Sequence, residues 1–186
     1  MDYIAIGILL AIAAYAIVIY NGLVKARQMV REAWSGIDVQ LKRRADLIPN
    51  LLETVKGYAS HEKETFAEVT EMRTRAQGVP AGDVAGRAVA EGMLSQALGK
   101  LFAVAEDYPD LKANENFRDL QQSLDKMETE IQMARRYYNG AARDLNVKVE
   151  SFPSNLVANT FKFEQADYFE IENDADRAVP EVDFGN

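Results

Sequence analysis

Residues 117–152 read FRDLQQSLDKMETEIQMARRYYNGAARDLNVKVESF, and this stretch decides the fold class. Phe117, Leu120, Leu124, Met127, Ile131, Ala134, Tyr138, Ala141 and Leu145 recur at alternating spacings of three and four. That period lays one apolar stripe along a helix, and a strand, with its period of two, cannot produce it. Val149 and Phe152 drift off the stripe, Asn114 or Asn116 is placed to cap the start, and Pro153 stops the helix. About 36 residues of helix is about 54 Å long, and so long an apolar stripe must be buried against other helices.

Upstream, Val30, Trp34, Ile37, Leu41, Ile48, Leu51, Val55 and Tyr58 carry the same spacing, with Arg44 in the slot between Leu41 and Ile48. The stripe fades through Phe66, Val69 and Met72, so the first helix is expected to reach the breaker Gln77-Gly78-Val79-Pro80-Ala81-Gly82. Pro49 should kink or divide it. Asp83 is placed to cap a second helix over residues 84–105, with Leu94, Leu98, Leu101, Phe102 and Ala105 as its apolar side. Gly92 and Gly99 lie seven apart on one face of it, where small residues admit a neighbouring backbone. Tyr108-Pro109-Asp110 reads as a turn, and residues 155–163 as a short fourth helix. A second helix of about 33 Å beside a third of about 54 Å leaves an overhang that must contact something.

Residues 3–24 form a run of 22 without a charged side chain. At about 1.5 Å per residue it spans about 33 Å, enough for a hydrocarbon layer of about 30 Å. Tyr3 and Tyr20 stand near its ends, where amphipathic rings favour headgroups. A cleaved signal peptide is the competing reading, and Ala-x-Ala patterns occur at residues 11–13 and 14–16. The absence of a basic leading region and the length of the run favour a retained anchor. Lys25, Arg27, Arg31, Lys42, Arg43 and Arg44 follow the run against two acids, Glu32 and Asp38. The positive-inside bias then sets the N-terminus outside and the body in the cytoplasm.

The expected fold class is therefore all-α: an N-terminal transmembrane helix continuing into a long antiparallel three/four-helix bundle, followed by an acidic disordered tail. The boundaries are 1–24 for the anchor, 25–170 for the bundle and 171–186 for the tail. The charge is localised accordingly. Of the net −8, the segment 164–186 holds eight acids against the single base Arg177. Such a balance offers no footprint for nucleic acid. Cysteine is absent, which excludes disulfide and thiol chemistry.

Catalytic chemistry is equally hard to place. His61 is the sole histidine, and with Glu64 or Thr65 beside it falls short of the three or four convergent ligands a metal needs. A di-iron Glu-x-x-His pattern fails because residue 58 is Tyr. Ser35, Ser60 and Ser123 lack a nucleophile elbow, and no phosphate-binding glycine loop occurs. The expectation is a non-enzyme with no catalytic, cofactor-binding or metal site, no cofactor and no identified small-molecule substrate.

Three sites carry a structural or binding reading instead. Lys25, Arg27 and Arg31 suit anionic lipid, whereas Lys42-Arg43-Arg44 begins about 25 Å farther along a helix, beyond a screening length of about 8 Å. Arg44 fills a core slot, so it should pair with an acid on another helix, with Asp125, Glu128 and Glu130 as candidates. Asp46 and Asn50 flank Pro49, where freed carbonyls need donors. Tyr138 belongs to the stripe and should be buried with its hydroxyl satisfied, while Tyr137 points elsewhere and is free to anchor a partner.

Residues 34–58, WSGIDVQLKRRADLIPNLLETVKGY, resemble the LemA family of bacterial membrane proteins, as do Tyr108-Pro109-Asp110-Leu111-Lys112-Ala113-Asn114, Arg136-Tyr137-Tyr138-Asn139 and Phe152-Pro153. The similarity covers about residues 20–170. It implies a single span in the bacterial inner membrane, N-terminus outside, with a cytoplasmic helical bundle. It brings no agreed enzymatic activity; one branch is associated with building magnetosome membranes. The favoured function is a membrane-anchored, non-catalytic scaffold that self-associates or recruits partners at the cytoplasmic face, its partners being the lipid bilayer and itself or another membrane protein. The alternative is a monomeric adaptor or regulator of another membrane protein such as a protease or transporter. A cryptic hydrolase would require an activity lost with His61→Ala.

Overall fold

A computed structural model describes residues 2–170 of the chain. Among these there are six helices and no strand. They are α1 (Asp2–Lys56), α2 (Lys63–Gln77), α3 (Val84–Glu106), α4 (Pro109–Ala113), α5 (Glu115–Glu150) and α6 (Ser154–Thr160). The expected tail beyond residue 170 lies outside the described residues.

The chain divides into two compact units. One holds Met1–Asp46 and Ser123–Tyr168; the other holds Leu47–Gln122 with Phe169 and Glu170.

In the first unit, α1 and α5 pack antiparallel. Trp34 stacks edge-on against Tyr138, with ring centroids 5.5 Å apart, and Arg44 meets Glu128 at 2.7 Å. The step from Trp34 to Arg44 on α1 thus matches the step from Tyr138 back to Glu128 on α5. The heptad stripes form this seam: Val30, Ile37, Leu41, Leu124, Ile131, Tyr138 and Leu145 are all buried. Beyond Pro153 the chain turns into α6, which packs Ala158 against Leu23 and Phe163, with Ile19, Tyr20, Val24, Val149 and Val157 closing round them. The Phe152-Pro153 peptide at this turn is cis.

At its N-terminal end α1 is different. It is the one helix among the described residues long and apolar enough to cross a membrane, with a stretch of mean hydropathy 2.4 that is entirely unburied. Ile4, Leu9, Leu10, Ile12, Tyr15, Ile17 and Val18 are all exposed.

In the second unit the expected continuous first helix is corrected. α1 passes through Pro49 without a break in helical assignment but ends at Lys56, and α2 starts only at Lys63. Gly57 follows the last helical residue, where glycine is cheap and a helix interior is not. The Ala59 amide turns back to the Val55 carbonyl at 2.9 Å. Ala59 rather than Tyr58 then enters the core, and Tyr58, expected in the stripe, is exposed. Val69 and Phe66 on α2 are buried, as are Leu94, Leu98, Leu101 and Ala105 on α3. Asp83 caps α3, its Oδ1 accepting from the Gly86 amide at 2.8 Å. A Cβ at residue 86 would come within 2.2 Å of that carboxylate, so the cap and the glycine go together.

On the glycine face of α3, Gly92 is half-buried. Gly99 is exposed, and a Cβ there would meet nothing within 4 Å, so no backbone approaches it. The expected turn at Tyr108-Pro109-Asp110 is the entry to α4, with Pro109 in its first turn, where a missing amide is harmless. Asn114 then caps α5, its Oδ1 accepting from the Phe117 amide at 3.0 Å.

Candidate functional site

The densest polar arrangement in the first unit lies along the α1–α5 seam. Arg44 is 2% exposed and reaches Glu128, which remains 41% exposed at the edge of the seam. Both oxygens of that carboxylate are engaged: Oε2 accepts from Arg44, and Oε1 accepts from Gln132 Nε2 at 3.1 Å. Arg135 donates to Gln132 Oε1 at 2.8 Å, which fixes the amide orientation. The guanidinium expected to find an acid on another helix therefore finds the middle of its three candidates.

Two side chains farther along α5 tie down the segment that follows α6. Asn146, buried in the same face, donates to the Ala166 carbonyl at 2.9 Å and accepts from the Ala166 amide at 2.8 Å. Tyr138 donates its hydroxyl to the Asp167 carbonyl at 2.8 Å. Burial, and then the nearby Asp167 charge, push the Tyr138 phenol up to about 12. Tyr138 is thus buried and satisfied as expected, and Tyr137 is exposed. The Asn146 clamp had no counterpart in the sequence reading, which followed the apolar stripe.

The second unit holds scattered pairs. Lys100 meets Glu68 at 2.5 Å between α3 and α2. Tyr108 donates to Glu62 at 3.1 Å, which raises its phenol above the ordinary value. Asn114 donates to the Tyr58 hydroxyl at 3.0 Å. Glu91, 1% exposed, meets Arg87 one turn earlier at 2.8 Å; this buried acid also escaped the sequence reading. Near Pro49, the Thr54 hydroxyl donates to the Asn50 carbonyl at 2.9 Å.

A shallow pocket of about 210 Å³ is lined by Phe102, Ala105, Glu106, Lys112, Phe117, Arg118 and Gln121. Lys112 and Glu106 pair with each other across it. Its charged lining is Glu106, Lys112 and Arg118, and it holds no Ser, Thr, His or Asp.

The residues considered for chemistry are not brought together. His61 is exposed in the link between α1 and α2, Ser35 and Ser60 are exposed, and Ser123 is half-buried on α5. Among the described residues no group of three or more His, Asp or Glu side chains is placed to hold a metal ion. Lys42 and Arg43 are exposed while Arg44 is buried, so the basic triplet is split by the seam. Lys25 and Arg31 are exposed, and Arg27 lies over the Phe163 ring at 4.8 Å.

Known proteins are similar to this chain in sequence. The chain is 27% identical over 186 residues to "Magnetosome protein MamQ 2" of Paramagnetospirillum magneticum, covering 86% of this chain and 68% of that one. It is 26% identical over 174 residues to "Magnetosome protein MamQ" of Magnetospirillum gryphiswaldense, covering 81% and 64%. To "Protein LemA" of Metamycoplasma hominis it is 28% identical over 138 residues, covering 74% and 63%. The chain thus spans about two thirds of the length of these relatives. The model of the LemA family matches residues 33–184, so the match begins inside α1 beside Trp34, takes in the Arg44 seam and the segment tied down after α6, and runs on into the acidic stretch: the chain belongs to the LemA family.

Proposed function

We propose that this chain is a single-pass protein of the bacterial inner membrane whose cytoplasmic body is a non-catalytic helical scaffold, self-associating or recruiting partners. The domain division that goes with it is anchor 1–24, bundle 25–170 and tail 171–186.

The observation that carries the reading is the abrupt change along α1. Residues before Ile19 keep large apolar side chains out of any core, while from Leu23 onward every turn contributes a buried residue. A contiguous apolar surface of that kind is not left to water. The six bases that follow it favour a cytoplasmic body. The scaffold reading is supported by the side of α5 facing away from the seam. Met133 and Tyr137 are exposed there one turn apart, and Val147 is exposed farther along, apolar side chains available to another protein.

The test is the mass of the full-length protein in lipid nanodiscs, alongside its resistance to alkaline extraction from native membranes. Discrete assemblies of several copies that break up with Tyr137→Glu support the scaffold. A monomer at every concentration refutes self-association and favours the adaptor reading, for which deletion of residues 172–186 and partner cross-linking are the next step. Release by alkali refutes the span.

A further inference from the structure

α5 returns to the base of α1 and ends there. The register set by Arg44–Glu128 and Trp34–Tyr138 continues in the same sense, because Val149 packs against the cluster containing Leu23. Carried on to the end of α5, it sets Lys148 level with Val24 and Glu150 level with Gly22, and Phe152 follows two residues later in the turn. Tyr20 lies four residues inside the apolar run, about 6 Å towards the membrane from its last residue. The contacts after the turn agree: the Phe161 ring is 4.8 Å from the Tyr20 ring and the Phe163 ring 5.7 Å from it.

At this level the turn and α6 expose three large apolar side chains. Phe152 is 79% exposed, Leu156 58% and Phe161 57%. Charged side chains flank them. Lys25 and Lys148 are exposed about a turn above Phe152, where lipid phosphates would lie, and Lys162 is exposed beside Phe161. Of the nearby acids, Glu150 accepts from Gln165 at 2.7 Å, and Glu164 is exposed just beyond Phe163.

We propose that the α5–α6 turn is a second, interfacial membrane contact: Phe152, Leu156 and Phe161 enter the headgroup–acyl boundary of the same bilayer that α1 crosses. The proposal rests on the reading of residues 3–24 as a span. The depth fits, since interfacial elements bury their apolar face about 5–10 Å into that boundary. Aromatic rings and snorkelling lysines are the residue types that suit it. Lipid is favoured over a protein partner because the exposed Phe161 ring lies 4.8 Å from Tyr20, inside the uncharged run, and Ile17 and Val18 one turn earlier on α1 are exposed as well. Two contacts with the bilayer, one through it and one on it, would hold the α1–α5 pair at a fixed tilt.

The chain has no cysteine, so single labels report cleanly. A nitroxide is placed by Phe152→Cys, Leu156→Cys or Phe161→Cys in the full-length protein in nanodiscs of neutral and anionic phospholipid. Reference labels are Ile12→Cys in the run, Val18→Cys near its end and Val39→Cys well beyond it, all at exposed positions. Collision rates with oxygen, which enriches in lipid, and with a water-soluble nickel chelate are measured at each. The expected oxygen-to-nickel ratio at 152 and 156 is close to that at Val18 and several-fold above that at Val39. Lipid-like values at Ile12 with Val39-like values at 152 and 156 overturn the interfacial contact while leaving the span standing. Low collision with both reagents at 152 and 156 means that protein covers the turn, and also overturns it. Water-like values at Ile12 overturn the span and the contact together.

Discussion

Removing the two partners of the Arg44–Glu128 pair should have unequal consequences. Arg44 is 2% exposed and Glu128 is 41% exposed, so the two ends of the pair stand in different solvents. Glu128→Ala removes one carboxylate partner from a guanidinium held inside the seam. Loss of a partner to a fully buried charge costs about 3–5 kcal/mol. Because this carboxylate sits at the edge and water can replace part of it, about 1–3 kcal/mol is expected. Arg44→Met fills the same heptad slot with an apolar chain of similar volume, and the Glu128 left behind can hydrate and keep Gln132. That change should lie within about 1 kcal/mol of neutral. The double variant should resemble Arg44→Met alone, because the carboxylate has no buried cation left to serve. For a chain of this size about 2 kcal/mol corresponds to a fall of about 4–8 °C in Tm. Thermal melts followed by far-ultraviolet circular dichroism in one fixed detergent would give all four values. A fall with Arg44→Met as large as that with Glu128→Ala would refute the asymmetry. Strict additivity of the two changes would show that the pair is not coupled in solution.

Other expectations concern the tied segment and the caps. Asn146→Leu removes both hydrogen bonds to residue 166 and should cost about 1–3 kcal/mol, with faster hydrogen exchange at the amides of 165–168 and little change in the middle of α5. Tyr138 has an ordinary phenol value of 10.0 raised to about 12 in the fold, so the folded chain holds this proton more tightly than the unfolded chain. Its contribution to stability is complete below pH 10 and is lost as pH rises towards about 12; Tyr138→Phe should flatten that part of the stability–pH curve, and an unchanged curve would refute it. Asp83→Ala removes the α3 cap and should cost about 1 kcal/mol, read as a lower Tm, whereas Asp83→Ser should restore most of it.

What could be read from the sequence follows from which interactions repeat. The stripes on α1 and α5 repeat every three to four residues, so their helices, their facing sides and the anomaly of Arg44 were legible before any geometry. The all-helical class, the cap at Asp83 and the burial of Tyr138 followed from the same logic. Features that depend on one contact were not. The end of α1 at Lys56 turns on Gly57 and on Ala59 replacing Tyr58 in the core, and no periodicity separates these from an uninterrupted helix. Glu91 is buried without a change in the pattern around it, although Arg87 four residues earlier was a readable partner. Asn146 follows Leu145 on the stripe, and its partner is backbone, which carries no residue type to recognise. Gly92 and Gly99 invited a close packing face, but Gly99 meets open space. A glycine pattern shows where an approach is allowed, without showing that one occurs.

The strap from Phe163 to Asp167 also sets how this part of the chain would carry a load. A pull arriving at Tyr168 meets Asp167 on the Tyr138 hydroxyl first, then Ala166 on the two bonds of Asn146. Those attachments follow one another along the strap, so each must yield in turn before force reaches Phe163 and the cluster round Leu23. The short α6 is mechanically downstream of a stop built from one tyrosine and one asparagine, and traction on the C-terminal side would be discharged into α5 before it could peel the turn away from the base of α1.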